Sequence, residues 1–192
     1  MPEAPIDAVV AGHVCLDISP AFPPLRPDAP LSELLRPGSL TQVGGATIST
    51  GGSVSNTGLS LLQLGMRVEL MGKIGDDLFA RGILDLLAPR GLDKSMVRVP
   101  GEQTSYTIVL APPGFDRAFL HCPGANDTFG ADDIQYPVVA RARLFHLGYP
   151  PLMRRLYRNG GIELADLFRR VKALGAVTTS LDMSLPDPAS AP

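Results

Sequence analysis

The stretch from Gly51 to Leu87 reads GGSVSNTGLSLLQLGMRVELMGKIGDDLFARGILDLL and alternates two helical patterns with one extended pattern. From Ser53 to Leu64 the apolar residues Val54, Leu61, Leu62 and Leu64 recur at helical spacing. Gly51-Gly52 stands before them and Gly65 after, so the spacing predicts a helix begun by a glycine turn and closed by a glycine cap. Arg67–Gly72 reads as a strand. Asp76–Leu87 reads as a second amphipathic helix whose first turn carries two carboxylates, the right sign for the helix dipole, and Pro89 and Gly91 end it.

The same alternation continues to either side. Ile6–Gly12 is a short, small and β-branched apolar run, the pattern of a buried parallel strand, with Asp17 expected just beyond its end. Six prolines between Pro20 and Pro37 exclude a regular helix there and predict a loop. Ser39–Thr50 predicts one or two strands, and Thr104–Ala111 with Arg117–Cys122 a hairpin turning at Pro112-Pro113-Gly114. Leu144–Gly148 predicts a further buried strand. Pro151–Leu174 predicts a helical stretch broken near Gly160-Gly161, and Ala176–Met183 a last strand. Strand, helix, strand, helix in this order is the signature of an α/β domain with a mainly parallel sheet flanked by helices. The insertion and the hairpin are left to form a separate small β layer.

Composition narrows the function. The 192 residues carry 17 Lys+Arg against 19 Asp+Glu, a formal net charge of −2, so no excess of positive charge points to nucleic acid. No run approaches the roughly 18 apolar residues that cross a bilayer, and the acidic N-terminus does not resemble a signal peptide, so a cytoplasmic protein with no membrane partner is expected. Cys15 and Cys122 are too few for a disulfide framework and lack the spacing of a zinc site, and no metal ligand set is expected.

Two glycines before a helix let a ligand approach backbone N–H groups, and Asn56 one turn further offers a donor and an acceptor. With Asp17 as an acceptor of hydroxyl protons, Gly51, Gly52 and Asn56 suit the vicinal hydroxyls of a polyol. The same glycines would serve equally to cap and pack the helix.

In its order of residues, Gly51 to Leu87 resembles the first signature of the PfkB carbohydrate kinases, the ribokinase-like sugar and nucleoside kinases. The specific parts are Gly51-Gly52, Asn56, Leu64-Gly65 and Gly72-x-x-Gly75-x-Asp77. Ala11-Gly12 with Asp17, and His121-x-x-Gly124-Ala125-Asn126 after the hairpin, extend the likeness over Val9 to Asp182. The resemblance implies a ribokinase-like, Rossmann-type sheet with a small β lid made of residues 18–50 and 104–122. It also implies transfer of a phosphoryl group from ATP, with Mg, to a hydroxymethyl group of a sugar or nucleoside. Asp17, Gly51, Gly52, Asn56 and Asn126 would contact the substrate, the lid would exclude water from the transfer, and a homodimer formed through the lid is expected as in several relatives.

The family's second signature, Asp-Thr-x-Gly-Ala-Gly-Asp, supplies the catalytic base and an anion hole. Asp127-Thr128-Phe129-Gly130-Ala131-Asp132-Asp133 matches it except that Asp132 replaces the second glycine. That carboxylate would stand where a phosphate must bind, and Pro137 follows too soon for the long helix the signature opens. Asp133 is therefore kept only as a candidate base, and the ATP site and the true base are expected to be missing from these residues. The expectation is a kinase represented by its substrate-binding and lid part, inactive alone; the alternative is a non-catalytic sugar-binding or interaction module derived from such a kinase.

Other polar residues have plainer readings. Asp76 and Asp77 are expected to cap a helix rather than to hold a metal, and His121 and Cys122 are expected to point to opposite faces of a strand. His13 and His146 read as satisfied core or edge histidines. Arg154, Arg155, Arg158, Arg169 and Arg170 read as a solvated helix face.

Overall fold

The computed structural model describes residues 5–24, 30, 32 and 36–184. Part of the Pro20–Pro37 segment read as a loop, and everything after residue 184, lies outside the described residues.

The central strand β1 (Ile6–Gly12) is buried on both faces, as its unbroken apolar run requires. It pairs in parallel with β4 (Val68–Met71) on one side and β9 (Ala142–Gly148) on the other, and β9 pairs in parallel with β10 (Thr178–Leu181). The sheet order is therefore β10-β9-β1-β4, all parallel, with β10 and β4 at the edges. Val9 and Ala11 join Phe145, Leu147, Phe129, Leu156 and Leu167 on one face of this sheet, while Val10 joins Leu70, Val54, Ile74 and Ile83 on the other. The side-chain alternation of one strand thus divides the core into two layers.

Helix α1 (Gly52–Gln63) covers the second layer together with α2 (Leu78–Leu87), and α4 (Arg154–Ala173) covers the first. Asp77 caps α2 by accepting the Ala80 N–H at 2.9 Å, and its other oxygen accepts the Thr104 N–H at 2.8 Å. Asp76 accepts the Gly101 N–H at 3.2 Å. Asp77 thus caps the helix as expected, whereas Asp76 lies before the cap and spends its carboxylate on Gly101, outside the helix. Helical geometry in α4 is interrupted at Arg158–Gly161, where Asn159, Gly160 and Gly161 take φ values of 53°, 67° and 76°. This is the break foreseen from the glycine pair. A single turn, α3 (Tyr136–Val139), precedes β9.

A second, mixed sheet has the order β3-β2-β7-β8, formed by β2 (Cys15–Pro20), β3 (Ala46–Gly51), β7 (Tyr106–Leu110) and β8 (Ala118–Cys122). β7 and β8 make the expected antiparallel hairpin. Asp17 lies beyond the end of β1, as expected, and sits inside β2, paired with Ser49 on one side and Thr107 on the other. Of the one or two strands expected from Ser39 to Thr50, one forms, starting at Ala46. The short parallel pair β5 (Lys73–Ile74) and β6 (Val97–Arg98) links the layers.

Candidate functional site

The C-terminal end of β1 is where the two sheets meet, and a few backbone contacts set its shape. The Gly148 carbonyl at the end of β9 accepts the His13 N–H at 2.7 Å and also the Ser53 hydroxyl. The His13 carbonyl in turn accepts the Val54 N–H at 3.1 Å. The start of α1 is thereby tied to the ends of β1 and β9, the position at which open parallel sheets bind ligands. Gly12, with φ 116°, packs so closely on Gly148 that a Cβ would overlap its carbonyl. Val54 spends its N–H on His13, so the first turn of α1 is not a wholly bare set of donors.

From this junction β2 carries Asp17 outward. A Cβ on Gly51 would overlap the Asp17 carboxylate, and one on Gly52, where φ is 84°, would overlap the His13 carbonyl. Both glycines are therefore required by close approach, whatever they contact besides. Gly51, Gly52 and Asp17 are brought together as expected. Asn56 lies one turn into α1 and is exposed.

Asn126, expected as a substrate contact, has its amide engaged within the protein. It is fully buried, accepts the Val14 N–H at 3.2 Å and donates to the Val14 carbonyl at 2.9 Å. Its amide holds the β1–β2 junction and shapes the site through Val14.

The register of the second sheet places Ser49, Asp17, Thr107 and His121 in one row across four strands, on one face. His121 bonds Thr107 Oγ1 through Nδ1 at 3.0 Å and meets His13 Nε2 through Nε2 at 3.3 Å. Tyr149 completes this wall, its ring centroid 5.9 Å from that of His13. Burial drives the His13 pKa down to about 3, with the neighbouring His121 adding to the shift. Burial also lowers that of His121 against the opposing pull of Asp17 and Asp127. Both rings are neutral at pH 7. His13 and His121 were missed as site residues because each looks like filler beside its own apolar run, and only the strand pairing brings them together. Cys122 lies on the neighbouring row, opposite Tyr106, so the expectation that it and His121 face opposite ways holds.

The Asp127–Asp133 segment forms 3₁₀ turns at Gly124–Thr128 and Ala131–Asp133, and no long helix follows. Its donors are already occupied: the Gly130 N–H bonds Asp133 Oδ2 at 2.8 Å and the Ala131 N–H bonds Glu163 Oε1 at 2.9 Å. Asp133 itself pairs with Lys73 at 3.3 Å, and Asp132 with Arg155 and Arg170 at 3.0 Å each. An anion has no free cradle here, and these residues do not fit the triphosphate of ATP. Among the described residues no cluster of three or more His, Cys, Asp or Glu could hold a metal ion. The arginines of α4 are partly tied in ion pairs, Arg154 with Asp127 and Arg169 with Asp166.

A parallel sheet joined to a small mixed sheet, with a carboxylate and two glycines at the junction, defines the architecture of the ribokinase-like kinases. Residues 22–181 match the pfkB family carbohydrate kinases, and the chain belongs to that family. No curated protein sequence matches it. Among solved structures it is similar to a PfkB protein from Polaromonas sp. JS666, at 20% identity and a TM-score of 0.72, over 94% of this chain and 56% of that one. Ribokinase from Giardia lamblia gives 15% identity and a TM-score of 0.71, over 95% and 53%. Arabidopsis thaliana ribokinase, in complex with ribose and ATP, gives 20% and 0.67, over 94% and 54%. At these identities the likeness is one of fold. The chain spans about half the length of these structures. Among the described residues no helix is long and apolar enough to cross a membrane.

Proposed function

We propose that this chain is the substrate-binding, lid-bearing part of a PfkB-type kinase that phosphorylates a hydroxymethyl group of a sugar or nucleoside. The observation that carries the reading is the Asp17 carboxylate, packed against the Cα of Gly51 at the junction of the two sheets. It accepts from Cys15 Sγ at 3.2 Å through Oδ1, while Oδ2 takes no hydrogen bond from the described residues. A carboxylate with one oxygen held and one left over is an acceptor for a ligand hydroxyl. Asn56 offers a further amide to a neighbouring hydroxyl.

In this reading the lid segments 18–50 and 104–122 supply most of the sheet β3-β2-β7-β8, with Cys15 to Asp17 and Gly51 at its base, and the lid excludes water from the transferring phosphoryl group. In the whole enzyme ATP would supply that group, with Mg neutralising its phosphate charge, and the described residues of this chain contribute orientation of the acceptor hydroxyl. The carboxylates that occupy Gly130 and Ala131 favour a second reading for the chain by itself, that of a sugar-binding module without turnover.

Calorimetric titration of the chain with D-ribose and D-fructose tests the proposal. Binding that falls by about 10-fold or more in Asp17→Ala is expected, the loss of a hydrogen bond to a charged group; binding of neither sugar by the wild type defeats the sugar reading. ADP release measured with the same sugars beside Asp133→Ala separates the two forms. Turnover that disappears in that variant would make Asp133 a working base, and no turnover is expected.

A further inference from the structure

Four side-chain contacts join Asp17 to His13 in a continuous series, and ordinary protonation rules give the series one direction. The carboxylate oxygen of Asp17 accepts, so the Cys15 thiol donates to it. Cys15 then has only sulfur lone pairs left, so the Thr107 hydroxyl donates to Sγ, at 3.6 Å. With its one proton spent, Thr107 must accept from His121 Nδ1–H, at 3.0 Å. A neutral imidazole protonated on Nδ1 has a lone pair on Nε2, so the 3.3 Å contact is His13 Nε2–H donating to His121 Nε2.

The far end agrees. This tautomer leaves a lone pair on His13 Nδ1, and that atom is buried without a hydrogen-bond partner against Gly52, at the positively polarised start of α1. A protonated Nδ1 would be repelled there. Burial also keeps the two rings and the thiol in the neutral forms the series needs, pushing the histidine values down and the Cys15 value up.

We propose that His13 and His121 are positioning residues whose one-way hydrogen-bond chain through Thr107 and Cys15 holds one carboxylate oxygen of Asp17 and turns the other toward a substrate hydroxyl. The chain runs from the end of β1 through β8, β7 and β2, so Asp17 is fully set only when the second sheet lies against the end of the first. The assignment of the ligand as a polyol rests on the sugar reading of Asp17.

Two measurements on the same chain test it. Long-range 15N–1H correlation spectra of histidine-labelled protein at pH 7 are expected to show His121 protonated on Nδ1 and His13 on Nε2. In Thr107→Val, which removes the acceptor but keeps the shape, both assignments are expected to become mixed or to reverse. In titrations with D-ribose and D-fructose, His121→Phe and Thr107→Val are each expected to weaken binding about 10-fold. His121→Asn, whose amide can still donate to Thr107, should recover most of the loss, and His121→Phe added to Asp17→Asn should cost little more than Asp17→Asn alone.

A role confined to packing predicts additive losses, no rescue by Asn and tautomers indifferent to Thr107, and any of these results overturns the proposal. The opposite wild-type tautomers in a chain that binds sugar overturn the positioning role alone. A wild-type chain that binds neither sugar overturns the sugar reading and the positioning role with it.

Discussion

Asp17, Gly51 and His13 show how few atoms decide the site. Gly51→Ala would drive a methyl group into the Asp17 carboxylate, and this overlap should abolish D-ribose or D-fructose binding in titration. The residual stability of the variant in urea should stay measurable, because Gly51 takes extended backbone that alanine also adopts. His13 has a second consequence. Its folded pKa of about 3 lies well below the unfolded value of 6.5, so between those two pH values the unfolded chain binds more protons. Stability is therefore complete above pH 6.5 and is lost as pH falls toward 3, with a limiting slope of about 1.4 kcal/mol per pH unit for one such group. His121 and His146, also lowered by burial, act in the same direction. Melting temperatures recorded from pH 7.5 to 4.5 should fall steadily, and less steeply in His13→Gln; a flat profile would show that His13 is not buried in its neutral form.

Within single elements the sequence signals that held were those enforced locally. The start of α2 follows from Asp77, whose two oxygens serve Ala80 and Thr104. Asp77→Ala should cost about 1–2 kcal/mol in urea unfolding. Strand β1 was legible because burial on both faces leaves an unbroken apolar run. Strand β2 was not, since Leu16, Asp17, Ile18 and Ser19 alternate over too few residues beside Gly12 and Pro20, and the strand exists because β3 and β7 flank it. Phe145 sits at the centre of the first core layer, fully buried and edge-on to Phe168. Phe145→Ala should lower stability by about 3–5 kcal/mol, the ordinary cost of an aromatic-sized cavity.

Taken whole, the molecule presents two faces that its own described residues do not cover. On the second sheet the register lines up Ile48, Ile18, Ile108 and Leu120 on the face opposite Asp17, with Ile48 45% and Leu120 56% exposed. Strand β10 is an edge of the parallel sheet, with Leu181 and Met183 exposed beside it. Apolar rows and open edges of this kind drive association. Light scattering at rising concentration should report dimers or larger species, and Ile48→Lys with Leu120→Lys should shift them toward monomer if the lid face is responsible. A monodisperse wild-type monomer would oppose the homodimer through the lid.

The sequence by itself determined the alternation of strands and helices, the glycine turn before α1, the cap of α2 and the break in α4. Each of these is written in neighbouring residues, through periodicity, capping chemistry or backbone freedom. Only the tertiary structure decided that Asn126 spends its amide on Val14, that Gly130 and Ala131 give their N–H groups to carboxylates, and that His13 and His121, 108 residues apart, share a hydrogen bond. Those outcomes depend on strand register and on which side chains arrive from distant segments, and a polar atom's role follows from the partner that reaches it.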